Sequence, residues 1–214
     1  MTLRCPVDCG RALRPDSPAL LLLLALLAGC IDHTDGVAGG AGAWQVEGAG
    51  IVVIGTDYLS TSVSVLARGT GELLGEGVIH SGSAAPGLSL ALSGDVVPAG
   101  APNPLHHLIL LDRYPNSVVT ILDGATFEVL GQVPVGTGFG ANPHDLLWLD
   151  PDTVYVTRYE VNPTPGQEPF DGGDDVVIVD PQVGAVVGRI PLGAHADPGL
   201  LARPERMVLA GDRV

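Results

Sequence analysis

An all-β fold is what these 214 residues predict, on three observations. Short apolar runs rich in β-branched residues recur from Ile51 onward, Gly, Pro, Asn and Asp punctuate them, and none sustains a helical period. The runs also recur as sets. Thr56-Asp57-Tyr58 precedes Val63-Ser64-Val65-Leu66 by the distance that separates Asp112-Arg113-Tyr114 from Val119-Thr120-Ile121-Leu122. A third set opens at Thr157-Arg158-Tyr159 and, after a loop over 160–174, continues as Val176-Val177-Ile178-Val179-Asp180.

Taken in order, strands are expected over 51–56, which ends before Asp57, and over 62–67, where Ser alternates with Val and Leu. Next come 73–80, bounded by glycines, and 88–92, opened by Pro86-Gly87. Pro115-Asn116 separates the expected strands 107–112 and 117–123, and Asp123-Gly124 turns the chain into 128–135. Pro151-Asp152 separates 145–149 from 153–158, and Pro181 to Gly184 separates 175–180 from 186–192. Four short strands per unit at a period of roughly 45 residues is the pattern of β-propeller blades, in which each sheet buries its faces against its neighbours.

Three phrases carry a resemblance. Val154-Tyr155-Val156-Thr157, the run at 176–180 and Ile190-Pro191-Leu192-Gly193 resemble the YVTN-type β-propeller repeat. The resemblance spans 50–214 and is strongest over 86–193. It implies blades of four antiparallel strands, with Pro143-His144-Asp145 opening an inner strand whose start faces the mouth of a central channel. Val52-Val53-Ile54-Gly55 and Ile109-Leu110-Leu111-Asp112 stand at the tetrad in the earlier copies and depart from it. About 3.5 repeats are counted. Arg213-Val214 falls where a strand equivalent to 153–158 would begin, so an open, truncated propeller with 203–214 poorly packed is expected, lacking an autonomous activity.

The first 29 residues read as an export signal. Arg4, Arg11 and Arg14 precede an apolar run from Ala19 to Ala28, too short to span a bilayer. Leu27-Ala28-Gly29-Cys30 resembles a bacterial lipobox, which implies cleavage before Cys30 and acylation of its sulfur. Two or more acyl chains anchor stably, so the expected location is the cell envelope, with the outer membrane as default because Ile31, not aspartate, follows Cys30. Cys5 and Cys9 leave with the signal, and residues 30–49, rich in Gly and Ala, read as a tether.

Charge narrows the partners. The formal charge is -14 and every basic residue is arginine. Losing the signal's three arginines and two aspartates leaves 7 basic and 22 acidic residues, so nucleic acid is disfavoured and acidity reads as solubility. Gly136-Thr137-Gly138-Phe139-Gly140-Ala141 matches a dinucleotide fingerprint in letters, but only seven residues lie between Asn142-Pro143 and Pro151, too few for the crossover helix.

The candidate ligand-binding residues are His144 and Asp145, which adjacent positions on a strand turn to opposite faces, and the recurring Tyr58, Tyr114 and Tyr159. Asp171, Asp174 and Asp175 form a glycine-rich acidic turn able to supply calcium ligands, without the D-x-D-x-D-G order of a dedicated loop. No other cofactor is indicated, and hydrolase and zinc-enzyme motifs are missing. Two readings stay open: a lipid-anchored envelope propeller that binds protein or polysaccharide without catalysis, and an enzyme or redox-cofactor propeller with a site at the channel built from several blades.

Overall fold

The computed structural model describes residues 50–101 and 103–211. The chain divides between Ala38 and Gly39, and the described residues all lie in the second unit. The expectations for Cys30, the signal and most of the tether fall outside the described residues.

Among the described residues, eleven strands form three antiparallel sheets, each a meander in sequence order. Sheet A holds β1 (Gly50–Thr56), β2 (Thr61–Ala67) and β3 (Leu73–His80). Sheet B holds β4 (Val96–Pro98), β5 (Leu108–Asp112), β6 (Val118–Leu122) and β7 (Val129–Pro134), and sheet C holds β8 (Pro143–Asp150), β9 (Thr153–Val161), β10 (Gly173–Asp180) and β11 (Ala185–Pro191). The fold is all-β, built of propeller-type blades in an open array.

The same turn fixes register in all three sheets. The N–H of Gly71 bonds the carbonyl of Ala67, Phe127 that of Asp123, and Gly184 that of Asp180. In sheets B and C the Asp side chain also caps the turn, Asp123 accepting from Ala125 and Thr126 and Asp180 from Gln182 and Val183. Five residues before these positions, one rung recurs: Gly55 opposite Ser62, Asp112 opposite Val118, Arg158 opposite Asp175. Tyr159 lies one residue beyond that rung, Tyr114 two and Tyr58 three. The tyrosines therefore share an end of the blades but not a register, and β9 runs on to Val161, placing Tyr159 within a strand.

Sheet B is covered on both faces. Val96, Leu110 and Leu122 face sheet A and pack with Val63 and Ile79, while Ile109, Leu111, Val119, Ile121 and Val133 face sheet C and pack with Leu146, Trp148, Val154, Val156, Val177 and Val179. Alternation along β5 and β6 sends successive apolar residues to opposite cores, so β5 is apolar up to Asp112 and β6 is apolar apart from Thr120.

One expected strand is corrected. Residues 88–92 carry no strand, and the inner strand of sheet B is Val96–Pro98. The Gln132 side chain of β7 replaces a backbone ladder there: its Oε1 accepts from the N–H groups of Ser89 and Leu90 and its Nε2 donates to the Leu90 carbonyl. Leu92 is still buried, which accounts for the apolar pattern. The segment 137–141 is a turn leading directly into β8, with no helix.

Candidate functional site

The shared end of the three sheets gathers the candidate residues into two places. Between sheets A and B lies a cleft of about 580 Å³ whose lining includes Tyr58, Leu59, Leu92, Asp95, Tyr114 and Asn116. Tyr58 is 80% exposed and Tyr114 66%, so neither ring is there to fill a core. Tyr58 sits at φ 65°, a left-handed conformation costly for a bulky residue. The chain holds it there: Asp57 Oδ1 accepts from the N–H groups of Leu59 and Ser60, and Tyr58 N–H donates to Thr56 Oγ1. Those donors hold the Asp57 carboxyl below the usual carboxylate range, Ser60 first and Leu59 next.

The cleft floor is locked to this turn. Thr56 donates its hydroxyl proton to the Gly94 carbonyl, and a Cβ on Gly94 would fall 2.2 Å from the Tyr58 carbonyl carbon, so only glycine allows the approach. Behind it, fully buried Asp112 accepts from Ser93 N–H, Ser93 Oγ and Asn116 Nδ2, while Arg113 forks onto Asp95 Oδ1.

The second place is the end of sheet C. His144 stacks on Tyr159 at 4.5 Å with 9° between the rings, and the Arg203 guanidinium lies 4.8 Å from the Tyr159 ring centre. Desolvation first, and then Arg113, hold the His144 imidazole below its ordinary value, so the neutral form is favoured. The Tyr159 hydroxyl accepting from Arg203 pushes that guanidinium up. Asp145 points away from this stack, as neighbours on a strand must, and accepts from Leu146 N–H and Met207 N–H. Through Asp145, and through Asp174 accepting from the N–H groups of Ala202 and Arg203, the segment over 200–209 is tied along sheet C. Its Leu200, Val208 and Leu209 stay exposed.

The structure does not bring Asp171, Asp174 and Asp175 together as calcium ligands. Asp171 closes its own loop by accepting from Gly166, Gln167 and Glu168, donors that hold its carboxyl low, Gly166 first. Asp174 holds 202–203, and Asp175 faces Arg158. Among the described residues no group of three or more His, Cys, Asp or Glu could hold a metal ion.

Sequence reasoning missed the buried pair of Arg158 and Asp175. Both are fully buried, with Arg158 Nε on Oδ1 and Nη2 on Oδ2, each at 2.7 Å, and the remaining donors on Val135 O, Thr137 Oγ1 and Phe170 O. The Phe139 ring lies 5.1 Å from the guanidinium carbon. The pair therefore joins the loop of 137–139 and the insertion at Phe170 to sheet C. An arginine in the apolar phrase Val154-Tyr155-Val156-Thr157-Arg158 was the available signal, since a charge amid a buried run demands a partner.

Compared with family models and with curated proteins, this chain finds no match among either. Among the described residues no helix is long and apolar enough to cross a membrane.

Proposed function

We propose that this chain is a lipid-anchored module of the YVTN-type propeller class, held at the cell envelope through Cys30, that binds a partner at the tyrosine-bearing end of its blades without catalysing a reaction. The observation that carries the reading is the pair of exposed rings, Tyr58 and Tyr114, standing over a cleft whose floor is tied by hydrogen bonds. Exposed aromatic rings on a rigid frame offer contact area with little ordering cost, which is the composition of binding surfaces.

The experiment is site-specific photocrosslinking in bacterial cells carrying the full chain, with a photoreactive phenylalanine analogue at Tyr58, Tyr114 or the exposed Val183 in the β10–β11 turn of sheet C. A discrete crosslinked species is expected from the two tyrosine positions and none from Val183. Equal labelling at all three, or none, overturns the binding reading. The anchor has its own test. Intact mass of detergent-extracted protein should show cleavage before Cys30 plus acyl mass, and Cys30→Ser should abolish both; an unmodified Cys30 sinks it.

A further inference from the structure

The cleft between sheets A and B is aromatic in its walls and negative in its charge. Asp95 lines it, Asp57 adjoins Tyr58 at its rim, and fully buried Asp112 lies behind its floor. Asp112 meets only uncharged donors, from Ser93 and Asn116. Arg113, the cation at the cleft, is committed to Asp95 through Nε and Nη2. Asp57 sits on the rim beside Tyr58, bonded to backbone N–H groups rather than to a cation. The chain as a whole carries -14 and has no lysine.

Aromatic faces are the negative part of the ring quadrupole, so two tyrosines over a surplus of carboxylates attract a cation from both sources. A neutral sugar would stack on the same rings and donate hydroxyl hydrogen bonds to the carboxylates but brings no charge to offset them, and an acidic segment would be repelled. The frame does not have to form on binding, because the Thr56 to Gly94 bond and the Gly94 approach already fix the two walls.

We infer that the Tyr58–Tyr114 cleft receives an arginine- or lysine-bearing segment of a partner protein, with its cationic head group over the tyrosine faces. This rests on the binding reading above and names its partner. The segment's charge lies toward Asp57 and Asp95, and the rings exclude water from one side of it.

The test measures binding of a dye-labelled glycine-arginine peptide to the full chain, with a glycine-glutamate peptide and a neutral oligosaccharide alongside, at about 0.15 M salt so that diffuse attraction is screened. The arginine peptide should bind. Tyr114→Ala and Tyr58→Asn should each weaken it about fivefold, and the double variant about thirtyfold, while Tyr114→Phe keeps the ring and the affinity. Asparagine at 58 preserves the left-handed backbone, so the fold survives the change. None of these substitutions alters charge, so undiminished binding by the double variant would mean mere attraction to an acidic chain and overturn the inference. Tyrosine-dependent binding of the oligosaccharide or the glutamate peptide instead of the arginine peptide overturns it too. Crosslinks from Tyr58 and Tyr114 without arginine-peptide binding overturn the cationic partner alone; loss of both removes the binding reading with it.

Discussion

Sheet B and sheet A are built from the same meander, yet their strands read differently in burial. Every residue of β6 in sheet B is buried, whereas β1 in sheet A has Val52 and Ile54 half-buried and the other five residues exposed. The difference is in neighbours, because sheet B packs against a sheet on each side and β1 has described packing on one side only. What holds a blade is therefore less its hydrogen-bonded ladder than the sheets that sandwich it. The polar ends repeat the contrast. Arg158 and Asp175 are fully buried, while the side chains of Arg113 and Asp95 keep 26% and 21% of their exposure.

The largest effect should come from the buried pair. Asp175→Ala leaves the Arg158 guanidinium desolvated without its carboxylate and should cost about 3–5 kcal/mol. Asp95→Ala at the more exposed pair should cost about 1 kcal/mol or less. Denaturant midpoints of the two variants measure the gap, and similar losses would erase the distinction. Next in size is the core comparison. Leu122→Ala, at a fully buried position between sheets, should cost about 2–5 kcal/mol, and Val53→Ala on the open face of sheet A about 0.5 kcal/mol or less. A large loss at Val53 would mean that the face is covered in solution.

Much of this contrast was legible in the residues. The apolar stretch at 108–111, and that at 118–122 with only Thr120 polar, have nowhere to go but between two layers, and the alternating Ser and Val of 61–65 announce one wet face. The turn aspartates marked strand ends well. The inner strand of sheet B was not legible, because Val96-Val97-Pro98 is short, while Leu88 to Leu92 alternates like a strand and has its backbone groups met by Gln132 instead. The tyrosine positions were found, but their one-, two- and three-residue offsets from the shared rung depend on turn lengths that letters do not reveal. Asp174 and Asp175 looked like cation ligands, since nothing local shows that their partners lie at 202–203 and at Arg158.

Gln132 offers a smaller test of the same idea, at a place where side-chain bonds replace a ladder. Gln132→Ala removes the acceptor for Ser89 and Leu90 and the donor to Leu90 at the partly exposed edge of sheet B, and the donor to the buried Thr120 hydroxyl of β6. A cost of about 1–2 kcal/mol is expected, with faster amide exchange confined to 88–92 and the β6 ladder unchanged. Exchange spreading through β6 would show that the edge supports the middle of the sheet.

The smallest effect concerns pH and separates sheet C from the A–B cleft. His144 is held below its ordinary value of 6.5, chiefly because its stacked position against Tyr159 is desolvated. The unfolded chain therefore takes up this proton at a higher pH than the folded one, and stability rises with pH wherever the unfolded state binds more protons. Lowering pH through 6.5 toward the depressed folded value should erode stability, and above 6.5 the contribution is fully present. His144→Phe keeps a ring on Tyr159 and cannot titrate, so its stability should be flatter than that of the unaltered chain across this interval. Asp57 in the cleft behaves in the same sense but lower, because its carboxyl is held below its ordinary 3.8 by N–H donors and its contribution is lost only as pH falls through that range. Chemical denaturation of both chains between about pH 5 and 8 separates the two groups. A slope identical in His144→Phe would assign the pH dependence to groups outside the ring stack and remove the energetic distinction between the two ends of the array.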